Sequence, residues 1–191
     1  MPTPPRAVDV TIVVPLFNEE QNVAPLTARI AEAMGATAHT WEMIIIDDGS
    51  RDGTAAALAQ AARQYPELKP LYLRRNYGQT TAMQAGFDAA SGAFIVTLDG
   101  DLQNDPADIP LMLAKQAETD ADIVSGWRKQ RQDHAITSNL PSRLANALIA
   151  KLMRMELHDL GCSLKVYKRD LIDELRIYGE LHRFIPAVAM Q

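Results

Sequence analysis

The chain has 191 residues, 47% of them apolar and 23% charged, the balance of an ordinary globular domain long enough to bury a core. Its net charge of -5 argues against a general nucleic-acid binder, and its single cysteine, Cys162, excludes an internal disulfide and a cysteine-rich zinc site. The N-terminal MPTPPRAVDV lacks the apolar stretch of a signal peptide, and no apolar run approaches the roughly 18 residues of a membrane span, so residues 1–191 read as one soluble, cytoplasmic domain.

The predicted elements alternate. Val10 to Pro15 is a short β-branched run, a buried strand. Asn22 can cap a helix that carries Pro25 in its first turn and Val23, Leu26, Ile30 and Met34 at helical spacing. Trp41 to Asp47 is a second buried strand, and Ser50 opens an alanine-rich helix that stops before Pro66. Leu71 to Leu73 centres a third strand. Thr80 or Thr81 can cap a helix bearing Met83, Phe87 and Ala90, with Gly92 beyond its end. Phe94 to Asp99 is a fourth strand, Pro106 opens a helix to about Ala117, and Ile123 to Trp127 is a fifth strand. Such alternation with continuously apolar strands predicts an α/β fold, a mostly parallel central sheet with helices on both faces.

Beyond Trp127 the pattern changes. Arg128 to Leu140 is polar and aperiodic and reads as a loop. Ser142 can cap a helix to about Met155, with Leu144, Leu148 and Leu152 on one half of its wheel and Arg143, Lys151 and Arg154 on the other. From Arg128 to Arg154 there are six basic residues and one acid, a local basic patch on an acidic chain. It is either a solvated face or a contact for one anionic partner. Cys162 to Tyr167 reads as a strand, Asp170 to Leu175 as a short helix, and the apolar ending FIPAVAMQ carries no stop signal. The chain is expected to continue into a C-terminal, membrane-associated portion in a longer natural protein.

In a parallel sheet, ligands bind outside the carboxyl ends of the strands. Each of the first four predicted strands is followed there by a polar cluster. The first gives Pro15, Asn18 and Glu19; the second Asp47, Asp48, Gly49, Ser50 and Asp52; the third Arg74, Arg75, Asn76, Tyr77, Gly78 and Gln79; the fourth Asp99, Gly100, Asp101 and Gln103. In LDGDLQ two carboxylates stand two residues apart. They suit a hard divalent cation, Mg²⁺ or Mn²⁺, with Gln103 as a third oxygen, and Gly100 leaves room for a ligand to approach the backbone. Asp-Gly is also common turn chemistry, so the segment alone supports either reading. Asp47, ending a buried strand, needs a hydrogen-bond partner, and a nucleobase or ribose hydroxyl would serve.

The segments VVPLFNEE, IIIDDGSRDGT, RRNYGQTTAMQAGFDAA, TLDGDLQNDP, VSGWRKQRQD, LGCSLKVYKRD and LHRFIP, in this order, resemble glycosyltransferase family 2, and most closely its polyprenyl-phosphate glycosyltransferases. The resemblance implies a GT-A fold, a UDP- or GDP-sugar donor, a polyprenyl phosphate acceptor and action on the cytoplasmic face of a membrane. It implies nucleotide contacts for Pro15, Asn18, Glu19, Asp47 and Asp48, a DxD metal motif at Asp99 and Asp101 with Gln103 as a further ligand, and phosphate contacts for Arg128 and Arg131. His182 and Arg183 match late diphosphate and acceptor contacts, and Asp159 matches an acid before the GCSLK segment. The implied reaction is an inverting displacement in which a phosphate oxygen attacks the anomeric carbon. Two rivals remain: a family 2 transferase whose acceptor is a sugar hydroxyl, for which Asp159 is the candidate base, and a nucleotide-sugar-binding remnant without turnover.

Overall fold

The computed structural model describes residues 7–126 and 162–174. The described elements run β1 (Val8–Leu16), α1 (Glu20–Gly35), β2 (Trp41–Asp47), α2 (Thr54–Gln64), β3 (Leu68–Tyr72), α3 (Gln79–Ala89), β4 (Gly92–Thr97), a 3₁₀ turn (Pro106–Asp108), α4 (Ile109–Thr119), β5 (Ile123–Ser125), β6 (Lys165–Lys168) and α5 (Arg169–Glu174).

They build one six-stranded sheet of order β3-β2-β1-β4-β6-β5. The pairs β1–β2, β1–β4 and β2–β3 are parallel, whereas β6 runs antiparallel to both β4 and β5. The predicted, mostly parallel sheet is therefore present with one reversed strand. Sequence periodicity carries no information on strand direction, and β6 arrives from far along the chain to lie between β4 and β5.

Both faces of the sheet are buried, which is why its central strands are apolar throughout rather than alternating with polar residues. Val10, Ile12, Val14 and Leu16 of β1 pack with Met43 and Ile45 of β2 beneath Leu26 and Ile30 of α1, Leu58 of α2 and Ile109 of α4. Val13, Ile44, Ile46 and Ile95 face the other way, against Ala82, Met83 and Phe87 of α3 and Ile172 of α5. Burying each of these aliphatic side chains contributes about 1.5–3 kcal/mol, and that burial fixes the register of the strands.

Several boundaries differ from the sequence reading. Helix α1 starts at Glu20, so Pro25 lies inside the helix and not in its first turn. Asn22 is no cap: its backbone N–H and its side-chain amide both donate to Glu19, to the carbonyl and to Oε2 respectively. Helix α2 begins at Thr54, not Ser50. Asp52 accepts from the backbone N–H and the hydroxyl of Thr54, while the Ser50 hydroxyl accepts from the Asn18 N–H on the neighbouring loop. Helix α3 follows Gly78, not a threonine cap. The Pro106 turn is 3₁₀ before α4 begins at Ile109. In each of the first two helices a long-range or neighbouring hydrogen bond displaces the cap that local spacing suggested. The predicted helix Ser142–Met155, the basic patch and the apolar ending lie outside the described residues. Among the described residues no helix is long and apolar enough to cross a membrane.

One buried charge ties the amino half of the sheet together. Glu42 on β2 is 2% exposed. Its carboxylate accepts from the Thr11 hydroxyl of β1, from the backbone N–H and hydroxyl of Ser91, and from the Lys69 ammonium of β3. Burial pushes this carboxyl up, but the Lys69, Thr11 and Ser91 bonds together outweigh burial and hold it below its ordinary value. A depressed folded value means that the stabilisation is complete above the ordinary glutamate range and is lost as pH falls through the folded value. Glu42→Ala, which strands four donors, should cost about 3 kcal/mol in urea unfolding at pH 7. The wild-type advantage over Glu42→Gln should shrink as pH falls below about 4.5.

Candidate active site

The strand order reverses at β1: β2 and β3 lie to one side of it, and β4 to the other. At such a switch point the loops leaving adjacent strands diverge and open a crevice at their carboxyl ends. A cavity of about 370 Å³ lies there, with walls from all four strand ends: Pro15 and Leu16 at the end of β1 with Phe17 and Glu19 beyond it, Asp48 after β2, Asn76 and Gln79 after β3, and Asp99, Gly100 and Asp101 after β4. The four polar clusters predicted to share one rim do so. The volume suits a nucleotide-sized ligand.

The loops are laced together by hydrogen bonds. Asn18 sits at φ 56°, a left-handed conformation that asparagine tolerates; its N–H donates to the Ser50 hydroxyl and its Oδ1 accepts from the Arg51 N–H. Glu20 Oε2 accepts from the Gly53 N–H. Asp48, 3% exposed, receives the N–H of Tyr77 at 2.8 Å on one oxygen and the N–H of Gly78 at 2.9 Å on the other. This carboxylate fixes the approach to α3. Asp47, 4% exposed, accepts from the Ser50 N–H. The partner that its burial demanded is thus a backbone group of its own turn.

Two glycines stand at close approaches, one of them to backbone. Gly49 has φ 68°, and a Cβ there would run into the backbone of Arg75 and lie 2.7 Å from the Asn76 nitrogen. At Gly100 a Cβ would fall inside the Leu16 side chain. Gly100 also lines the cavity, so its missing side chain leaves the Leu16 side chain in place at the cavity wall. Beside it, Leu102 adopts φ 61°, a strained choice for a residue with a Cβ. Asp101 Oδ1 accepts from the Gln103 N–H and holds that turn. Across the cavity Gln79, first residue of α3, donates its amide Nε2–H to Asp99 Oδ1 at 2.7 Å.

Of the residues picked from sequence, Pro15, Glu19, Asp48, Asp99 and Asp101 line the cavity. Asn18, Asp47 and Gln103 belong to the same loops without being among its lining residues. Arg128, Arg131, Asp159, His182 and Arg183 lie outside the described residues. Sequence reasoning gave no role to Phe17, and placed Asn76 and Gln79 at the rim only as members of the third polar cluster. Their signal was position, between the end of a strand and the first turn of the next helix.

The electrostatics are one-sided. Four of the ten lining residues are acids, and none is basic. The partners of these acids are neutral: the Asn22 amide for Glu19, backbone N–H groups for Asp48 and Asp101, and the Gln79 amide for Asp99. Arg75, on the adjoining loop, lies with its guanidinium 4.9 Å over the Tyr77 ring. Among the described residues no cluster of three or more His, Cys, Asp or Glu side chains is arranged to hold a metal. The donor set at the rim is the two-carboxylate pair Asp99 and Asp101, which offers hard oxygen ligands and so fits Mg²⁺ or Mn²⁺.

The family model for Glycosyl transferase family 2 matches residues 11–176, an interval that contains every loop of this rim. The chain belongs to glycosyl transferase family 2. Among family 2 relatives it is 48% identical over 185 residues to a dodecaprenyl-phosphate galacturonate synthase of Rhizobium johnstonii, covering 96% of this chain and 55% of that protein. It is 40% identical over 181 residues to an undecaprenyl-phosphate 4-deoxy-4-formamido-L-arabinose transferase of Pseudomonas fluorescens, covering 94% and 53%. The chain spans about half the length of these curated relatives. A solved mannosyltransferase from Pyrobaculum calidifontis, in complex with GDP-Man and Mn²⁺, superposes with a TM-score of 0.64 at 20% identity over 94% of this chain and 50% of its own. The fold is that of the GT-A glycosyltransferases.

Gly49→Ala should destabilise this family 2 domain by about 2–4 kcal/mol, because it combines a left-handed backbone with a backbone clash. Chemical denaturation measures the loss directly.

Proposed function

We propose that the chain transfers a sugar from a UDP- or GDP-sugar to a polyprenyl phosphate by cation-assisted, inverting displacement. The observation that carries this reading is the acidic cavity at the β1/β4 switch point, whose four carboxylates have no cationic partner among the described residues. A bare diphosphate would be repelled from such walls; a cation-bound one would be attracted. Asp99 and Asp101 would hold Mg²⁺ or Mn²⁺, with Gln103 as the neighbouring oxygen donor. The ion supplies Lewis-acid neutralisation of the diphosphate leaving group.

The chain's own residues bind and orient. Pro15, Asn18, Glu19, Asp47 and Asp48 form the nucleoside side of the rim, with Asp48 contributing chiefly by fixing the loop before α3. Arg128, Arg131 and Arg183 are assigned to phosphate oxygens, where charge-assisted contacts are strong. The acceptor phosphate oxygen forms the new bond to the anomeric carbon as the bond to the nucleoside diphosphate breaks on the opposite face. A phosphate is already anionic at neutral pH, so no general base is needed and Asp159 has no proton to remove. The acceptor assignment draws on the names of the two relatives. A polyprenyl phosphate places the reaction at a membrane surface, which supports a peripheral, cytoplasmic-face location.

The test is a transfer assay with radiolabelled UDP- and GDP-sugars and detergent-dispersed undecaprenyl phosphate. Label should enter the lipid phase only with a divalent cation present, and Asp101→Ala should lower the rate by about 100-fold or more. Transfer to a saccharide hydroxyl instead, or full activity in chelator, would count against this function.

A further inference from the structure

Gln79 makes a contact that the reaction as described does not use. It is the first residue of α3, and its amide donates to Asp99 Oδ1 at 2.7 Å across the cavity between the loops after β3 and β4. Neither residue is fully buried, so water could satisfy both groups, and burial does not force this bond. The amide is not spent on capping α3 either, because that helix has no side-chain cap.

The placement of Gln79 is nevertheless fixed. The backbone N–H groups of Tyr77 and Gly78 are held by the two oxygens of Asp48, and Gly78 has φ 93°, so the turn into α3 is set by the loop after β2. A continuous connection thus runs from Asp48 through Gly78 and Gln79 to Asp99. It joins the acid after β2 to the acid after β4. At its far end one oxygen of Asp99 is occupied by an amide, and Asp101 Oδ1 is occupied by the Gln103 N–H. One oxygen of each carboxylate then remains to meet a cation.

The identity of the donor matters. An amide orients a carboxylate without cancelling its charge, whereas an ammonium or guanidinium in the same place would cancel it and compete with the ion. Amides and backbone groups that orient metal ligands in this way set affinity as well as geometry.

We propose that Gln79 is a positioning residue for the cation, holding one oxygen of Asp99 so that the other acts together with Asp101. This rests on the reading that the cavity takes a cation-bound nucleoside diphosphate. The experiment is calorimetric titration of Mn²⁺ into the whole chain in the presence of UDP, and separately GDP, alongside thermal unfolding without metal. Gln79→Met, of similar length but with no donor, should weaken Mn²⁺ binding about 10-fold and leave the metal-free unfolding temperature within about 2 °C. Gln79→Lys should weaken it by about 100-fold. Wild-type Mn²⁺ affinity in both variants, with binding lost in Asp101→Ala, would overturn the role of Gln79 and leave the cation reading standing. A lowered unfolding temperature in both variants with unchanged Mn²⁺ affinity would make Gln79 merely structural and also overturn it. Mn²⁺-dependent binding that is absent from the wild type, or intact in Asp101→Ala, would overturn the cation reading and this inference together.

Discussion

Four strands that run the same way must release their chains at the same edge, and this constraint organises everything at the rim. β1, β2, β3 and β4 are mutually parallel in direction, so Glu19, Asp48, Gln79 and Asp99, drawn from four separate loops, come to face one cavity. The order reversal at β1 then keeps the loops after β2 and β4 from closing over each other. Nothing in the local sequence of any one loop makes a site. The site is a property of the sheet's topology, and the apolar strands that enforce the topology are remote from the chemistry.

The two ends of the sheet treat acids oppositely. At the amino end Glu42 is surrounded by donors, including the Lys69 ammonium, and its charge is compensated inside the fold. At the carboxyl end the acids receive only neutral donors among the described residues. Like charges gathered at one edge, with only neutral donors among the described residues, repel one another. A bound cation, as proposed above, would relieve that repulsion. Two of the three non-glycine residues at positive φ among the described residues, Asn18 and Leu102, belong to these loops, and at Leu102 that conformation is strained.

Much of this was legible in the sequence for a physical reason. Buried parallel strands are apolar on both faces, so runs such as Val10 to Pro15 and Trp41 to Asp47 stand out, and the polar residues at their carboxyl ends must lie on the rim. The helix starts were less legible. Asn22 and Ser50 have the right chemistry for caps, yet both are engaged by a neighbouring loop or residue, and local spacing cannot show that. The contact that a side chain at position 100 would make with Leu16 is likewise invisible in the sequence. The position of β6 between β4 and β5 depends on pairing across a long separation and left no mark in periodicity. Gln79 was legible only as a member of the polar cluster after the third strand; its bond to Asp99 emerges only once the start of α3 and the loop after β4 are brought together.

In the proposed function a divalent cation and a nucleoside diphosphate complete the acidic rim. Crystals grown with Mn²⁺ and UDP or GDP, with diffraction recorded at the manganese absorption edge, test it most directly. An anomalous peak bonded to oxygens of Asp99 and Asp101, with the diphosphate in the cavity beside Asp48, is the predicted result. Nucleotide bound in the cavity with no peak at those carboxylates, or a peak at some other acidic cluster, would contradict it.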